Sequence, residues 1–385
     1  MSLYYPHVTQ PLVGPTAFTE ISDTASQSQA AVLLLLGRQL RDDDAAATAR
    51  ARTKRAGRYV AFSALDDDDR EFPVPKIKPT RRRFSGAAVQ QRVKKTYGYS
   101  KRNDATWQKA YADCAASLYA DPSHDTMAEL FHMSLDHRKD LVKIAAAAAS
   151  YPIAADRDRA RRVLVKGLRS ADELERSLAA TALARIDPKH PGLAKLTSSR
   201  LPPKQAQSSH TITIAHGTFA ANSPWYQPPN GDFFAFIKTL RGDLYDQNDF
   251  FFWTGGYSDA ARSDGANLLV QWVNGHSDQG LDLMGHSHGA NVILLATNRG
   301  LTCGKTILLS CPVHVDKYFP DFSKVTTPIF SVHVKHDLVI LADFGGQKFS
   351  HPKIQEIILP IWFDHFATHD PAVWQQNQIA TQVSL

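Results

Sequence analysis

Leu281-Asp282-Leu283-Met284-Gly285-His286-Ser287-His288-Gly289-Ala290-Asn291-Val292-Ile293-Leu294-Leu295 reads as a strand, a tight turn and a helix in immediate succession. Leu281 to Met284 is a short apolar run of strand length. Ala290 to Thr297 is an apolar run of helical length. Between them lies Gly-x-Ser-x-Gly, with Gly285 and Gly289 two residues to either side of Ser287. Glycines at those places leave room for neighbouring backbones where a strand turns sharply into a helix. The serine hydroxyl then projects from the sheet edge, and the helix N-terminus behind it supplies positive potential. An ordinary glycine-rich strand–helix connection has the same pattern, so the surrounding chain must decide.

Around this stretch strands and helices alternate. Thr211 to Ala215 reads as a strand, Asp232 to Tyr245 as a helix, Asp249 to Trp253 as a strand and Asp259 to Val273 as a helix. Thr306 to Ser310, Pro328 to Val334 and Ile354 to Leu359 read as further strands, and Ala372 to Ile379 as a closing helix. This alternation predicts an α/β domain over 210–385, a mostly parallel sheet wound on both faces. In that setting Gly285–Gly289 has the context of a nucleophile elbow. Upstream, His216-Gly217-Thr218-Phe219 follows the first strand. A turn there can aim a backbone N–H toward the serine; Thr218 is the expected donor and Phe219 the alternative, paired with the N–H of His288 as an oxyanion hole.

His216-Gly217-Thr218-Phe219, the loop Pro224-Trp225-Tyr226, the segment Asp249 to Asp259 and then Gly285 to Gly289 together resemble α/β-hydrolases of the bacterial lipase/esterase type. The resemblance covers about residues 210–385 and says nothing of the first 204. It implies the chain order serine, acid, histidine. The acid is expected after the strand Pro328 to Val334, which points to Asp337, with Asp343 and Asp316 as alternatives. The base is expected in the loop after the last strand, which holds His365 and His369. Asp370-Pro371 starts the closing helix, and His365 lies five residues before Asp370, which favours it. The family has glycine before this histidine, whereas this chain has Asp364. The resemblance thus implies a Ser287–His365–Asp337 triad, with His369 as the alternative base, cleaving carboxylic esters through an acyl-enzyme without a cofactor.

The first half has a different texture. Residues 1–204 carry 34 Lys and Arg against 23 Asp and Glu, whereas 205–385 carry 10 against 15. Eleven of the 16 histidines and five of the six tryptophans follow residue 204. Residues 1–30 are polar and read as loose, 30–58 as a helix, and 63–104 as a linker with acidic, proline and basic blocks. Residues 105–200 read as helical, and Lys143-Ile144-Ala145-Ala146 and Arg176-Ser177-Leu178-Ala179 align at an offset of 33 residues. That segment resembles a short HEAT-like array. The expected organisation is therefore an N-terminal segment 1–104 with one helix, an all-α domain 105–200, a linker 201–209 and the catalytic domain 210–385.

Composition narrows the setting. The chain is 43% hydrophobic and 21% charged, as in an ordinary globular protein. Cys114, Cys303 and Cys311 form no CxxC pair, and no N-terminal leader or membrane-spanning run is legible, so cytoplasmic folding with reduced thiols is expected. His314, His333, His336 and His351 show no metal-ligand spacing, so no metal is expected. Phe233, Phe234, Phe236, Trp225 and Trp253 are candidates for an acyl pocket or for core. Arg81-Arg82-Arg83 with Arg92, Lys94 and Lys95 is the strongest basic patch; an anionic membrane surface is its candidate partner, and no nucleic acid is expected. Two other functions fit these features: a membrane-recruited phospholipase, and a non-catalytic helical scaffold carrying a degenerate hydrolase domain.

Overall fold

The computed structural model describes residues 6–53, 72–77, 86–98, 105–151, 157–198, 212–276 and 281–385. The expected linker 201–209 and the patch Arg81 to Arg83 lie outside the described residues. The chain divides into two compact units: Met1–Ile186 with Leu341–Phe344, and Asp187–Ile340 with Gly345–Leu385. No helix of the described residues is long and apolar enough to cross a membrane.

The first unit is helical. Its elements are α1 (Asp23–Thr53), α2 (Gly86–Tyr97), α3 (Ala105–Ala120), α4 (His124–Ser134), α5 (Asp140–Ser150), α6 (Arg157–Gly167) and α7 (Glu173–Ile186). Helix α5 is its centre, because Leu141 to Ser150 are all buried, as expected for a helix apolar on every side. Its alanine run lets α1 approach closely. A Cβ at Gly37 of α1 would stand 2.7 Å from the Cα of Ala149. Ser123 and Thr126 cap α4 reciprocally. Two sequence expectations change here. Residues 1–30 are not loose where described: a 3-10 turn spans Gly14–Phe18, and Ser26 to Ala30 are buried in α1. The expected linker 63–104 contains α2, which gains stability by burying Val89 and Val93 and by pairing Arg92 with Glu129 at 2.8 Å. Blocks of charge and proline flank that helix and masked its period.

The second unit is an α/β layer structure. Its elements are α8 (Pro191–Ala194), β1 (Ile212–Ala215), α9 (Asp232–Leu240), α10 (Asp259–Gly275), β2 (Leu281–His286), α11 (His288–Thr297), β3 (Cys303–Leu309), β4 (Ile329–Lys335), the start of α12 (Leu338–Asp343), β5 (Ile354–Trp362), α13 (Pro371–Gln376) and α14 (Ile379–Gln382). The five strands form one parallel sheet in the order β1-β2-β3-β4-β5. Side chains alternate across it. Ile212, Ile214, Met284, Ile307 and Leu309 face a core shared with Trp225, Phe233, Ile237 and Trp374. Ala215, Leu281 and Leu283 face a core shared with Trp253, Leu269, Trp272, Val292 and Ile293. Burial on both faces explains why the strands read as apolar runs rather than as alternating ones.

The expected strand Asp249 to Trp253 is not a strand. The edge of β1 instead meets Leu244 in an isolated bridge, and the Tyr245 N–H donates to Ile212 O at 3.0 Å. The backbone of 249–253 bonds to side chains: Asp249 O accepts from Trp272 Nε1 at 2.7 Å, and Trp253 N and O lie 3.3 and 3.0 Å from His216 Nε2. The Trp272 bond and one of the two His216 contacts, set by the tautomer of its ring, satisfy buried polar groups without a ladder. The expected helices 232–245 and 372–379 are shorter, ending at Leu240 and Gln376.

Candidate functional site

All strands of a parallel sheet point their C-terminal ends the same way, and ligand sites in such sheets form along that edge. Each site residue expected from the sequence leaves a strand there. His216 and Gly217 follow β1, Ser287 follows β2, Asp337 follows β4, and His365 follows β5.

Ser287 has φ 53° and ψ −132°, a conformation that L-residues rarely adopt and that costs on the order of 1–3 kcal/mol. Its surroundings hold it there. The Ser287 N–H donates to Leu309 O of β3 at 2.7 Å, and Ser287 O accepts from Ala290 N at 3.0 Å. The flanking glycines are sterically required. A Cβ at Gly285 would stand 2.7 Å from the backbone of Ala290, and one at Gly289 would stand 2.3 Å from His216 O and 2.4 Å from Ala215 O. A Cβ at Gly217 would stand 2.8 Å from the Cβ of Ser287, which puts the loop after β1 directly against the serine. Ser287 caps α11, whose amide end carries positive potential.

Asp337 is fully buried, and its Oδ2 accepts from His365 Nδ1 at 2.7 Å. Its Oδ1 accepts from the N–H groups of Val339 and Ile340 at 2.9 and 3.1 Å, at the start of α12. Both carboxylate oxygens are thus bonded, and the histidine ring is oriented with Nε2 free of Asp337. Of the three candidate acids Asp337 carries this bond, whereas Asp316 is exposed. His369 sits elsewhere. Its ring stacks on Trp225 with centroids 4.2 Å apart and meets Phe233 edge-on at 6.1 Å. The two candidate bases therefore have different environments: a carboxylate for His365 and an indole for His369.

His286, which sequence reading did not single out, joins these groups. Its ring lies 4.6 Å from those of His365 and His369, and its Nε2 lies 3.2 Å from His365 O. Since a carbonyl only accepts, Nε2 carries the proton. Burial, and then the nearby His369 and His365, push the His286 ring well below the usual histidine range. Burial and His365 push His369 down to about 3. Burial likewise lowers His216 to about 4, against the carbonyls of Gly217 and Trp253 that pull it up. These three rings are uncharged at neutral pH, so the cluster around His365 does not already hold a positive charge. Nothing in the sequence pattern separates His286 from the other histidines; its role depends on the loop after β5 folding over it.

The loop after β1 distinguishes the two candidate donors. The Phe219 N–H donates to Gly255 O at 2.9 Å, and the Ala220 N–H donates to Gly217 O at 3.3 Å. The Thr218 N–H makes no hydrogen bond among the described residues. His288 turns its side chain away from Ser287 toward α10: Arg262 Nη2 donates to its Nε2 at 2.8 Å, and Asn291 Nδ2 lies 3.0 Å from its Nδ1. Arg262, buried with its guanidinium also on Tyr318 and Asp259, carries no sequence signal beyond its place in a helix. With Nε2 accepting from a guanidinium, His288 is poorly suited to hold a cation through that nitrogen. The other histidines pack on aromatic rings, His314 on Tyr318, His336 on Trp362 and His351 on Phe322. His333 lies 3.3 Å from Glu356 on the neighbouring strand. Among the aromatic pocket candidates, Trp253, Phe233 and Phe234 belong to the core, and Trp225 backs His369. Cys114, Cys303 and Cys311 are buried free thiols.

No family model and no curated protein matches this chain. A solved structure of an uncharacterized protein from Bacillus cereus ATCC 10987 aligns over 77% of this chain and 98% of its own, at 13% identity and a TM-score of 0.27.

Proposed function

We propose that the second unit is an α/β-hydrolase-type domain and that this chain is a serine hydrolase of carboxylic esters. The observation that carries the reading is the His365–Asp337 hydrogen bond of 2.7 Å, formed at the sheet edge where Ser287 occupies its strained turn. Asp337 fixes the His365 tautomer with Nδ1 protonated, leaving Nε2 to take the Ser287 proton as the hydroxyl attacks an acyl carbon. The Thr218 N–H and the amide end of α11 stabilise the oxyanion. The proton on His365 passes to the leaving alkoxide, and water resolves the acyl-enzyme by the same route. Neutral His286 and His369 leave His365 as the ring that charges during the cycle. Two measurements test this: labelling of Ser287 by a fluorophosphonate probe, and turnover of a chain-length series of p-nitrophenyl esters. Absence of both in the folded protein would leave the scaffold reading instead.

A further inference from the structure

Each of the strands β2 to β5 is followed at once by a residue other than glycine with positive φ: Ser287 at 53°, Ser310 at 45°, His336 at 49° and Phe363 at 74°. Such conformations are costly for L-residues, persist where the surroundings over-determine them, and collect at functional sites. Three of the four are or adjoin the expected triad residues: Ser287 itself, His336 before Asp337, and Phe363 shortly before His365. Ser310 is the remaining one, and β3 leads into none of those residues. Glycine would adopt this φ without strain, yet a serine stands there, fully buried.

The bonds made at the end of β3 give that serine a use. Leu309 O accepts from the Ser287 N–H at 2.7 Å, and the Ser310 N–H donates to Val332 O of β4 at 2.9 Å. The Ser310 Oγ accepts from Thr368 Oγ1 at 3.1 Å, and both residues are fully buried. Thr368 stands in the same loop as His365, and its carbonyl accepts from Trp374 Nε1 at 2.7 Å. Two consecutive residues thus bond the turn of Ser287, the strand that leads to Asp337 and the loop that carries His365. In the sheet order β2 and β5 lie three strand spacings apart, about 14 Å. To bring His365 to Ser287, the loop after β5 has to reach back over the ends of β4 and β3, and Ser310 is a fixed point on that path. Threonine is β-branched, so its hydroxyl has few directions open, and burial strengthens the bond.

We infer that Ser310 and Thr368 are positioning residues, a buried hydroxyl pair that sets how far the loop after β5 carries His365 toward Ser287. This rests on the serine hydrolase reading above. The pair touches no reacting atom and acts through His365. With the bond intact, the ring is held where its Nε2 can take the Ser287 proton. Without it, the loop loses this side-chain tie to the end of β3, while the Asp337 bond to His365 Nδ1 remains. The strain at Ser310 is what placing a hydroxyl at that strand end requires. Because the pair orients the base and does not hold substrate, its loss lowers kcat and leaves KM nearly unchanged.

The test compares wild type with Ser310→Gly, Thr368→Val, the variant carrying both, and Thr368→Ser in hydrolysis of p-nitrophenyl butyrate. Ser287 labelling by a fluorophosphonate and melting temperature are measured on each. Ser310→Gly removes the hydroxyl and relieves the strain, so it is expected to melt near wild type. Thr368→Val keeps the shape and lacks the hydroxyl. Each is expected to lose roughly 10- to 100-fold in kcat with KM nearly unchanged, and to label at Ser287 more slowly. The variant carrying both is expected to be no worse than either alone, because both changes remove one bond. Thr368→Ser is expected to recover most of the loss. Wild-type kcat in Ser310→Gly and Thr368→Val, with Ser287 still labelled, would overturn the positioning role and leave the hydrolase reading standing. Additive losses in the variant carrying both, or a Thr368→Ser as impaired as Thr368→Val, would overturn it as well. So would losses of kcat that follow lowered melting temperatures, because they would mark the pair as structural. Failure of wild type to label at Ser287 would overturn the hydrolase reading itself, and this inference with it.

Discussion

Asp337 and His365 lie 28 positions apart and meet at 2.7 Å, with the carboxylate completely buried. Three donors bond the Asp337 carboxylate: the His365 ring and the N–H groups of Val339 and Ile340. Asp337→Asn keeps the shape but turns an amide against the His365 Nδ1–H, which favours the wrong tautomer. Under the proposed mechanism kcat should fall on the order of 10⁴-fold. Steady-state kinetics on a p-nitrophenyl ester checks this, and an unchanged kcat would remove Asp337 from the mechanism.

The two loop histidines should separate in a pair of variants. Ser287→Ala and His365→Ala are expected to lose about the same activity, since members of a triad act as a unit. Ser287→Ala should keep its melting temperature. His369→Ala removes a ring packed between Trp225 and His286, and should cost about 3 kcal/mol of stability with a much smaller loss of kcat. The reverse order of kcat losses would make His369 the base.

Gly289→Ala tests the elbow sterically. Its new Cβ would stand 2.3 and 2.4 Å from two carbonyl oxygens of the chain leaving β1, backbone atoms held by the sheet. About 3 kcal/mol or more of stability should be lost, read as a lowered denaturation midpoint. A variant as stable as wild type would overturn the close packing of α11 on the chain leaving β1.

Acid should destabilise the second unit through its neutral histidines. His216, lowered to about 4, and His369, lowered to about 3, are neutral when folded and take up protons when unfolded near pH 6.5, as is His286. Folded pKa values below the unfolded one give stability that is complete above about pH 6.5 and declines as pH falls toward the folded values. Each ring contributes a slope of about 1.4 kcal/mol per pH unit in that window. Chemical denaturation at a series of pH values measures it. His369→Phe, which can stack on Trp225 without ionising, should show a shallower decline between pH 6 and 4. A stability flat from pH 6.5 to 4 would contradict the neutral cluster.

What the sequence determined by itself was local. The strand, turn and helix around Ser287 are written in residues close together: apolar runs of strand and helix length, and two glycines where a Cβ would strike backbone. The parallel sheet was legible for a similar reason, since each buried strand is a short apolar run between helices. Spacing to Asp370 favoured His365 over His369, but both stand in one short loop, and what surrounds each came only from the tertiary structure: Asp337 from the end of β4 for the first, Trp225 from the loop after β1 for the second. That structure also decided that Phe219 gives its N–H to Gly255 while Thr218 keeps its own, and that His286 lies under the loop after β5. The segment 249–253 has the composition of a strand, yet its backbone bonds to the side chains of His216 and Trp272. Periodicity records which face of an element is apolar; hydrogen-bond partners and burial across tens of residues depend on how the elements are stacked.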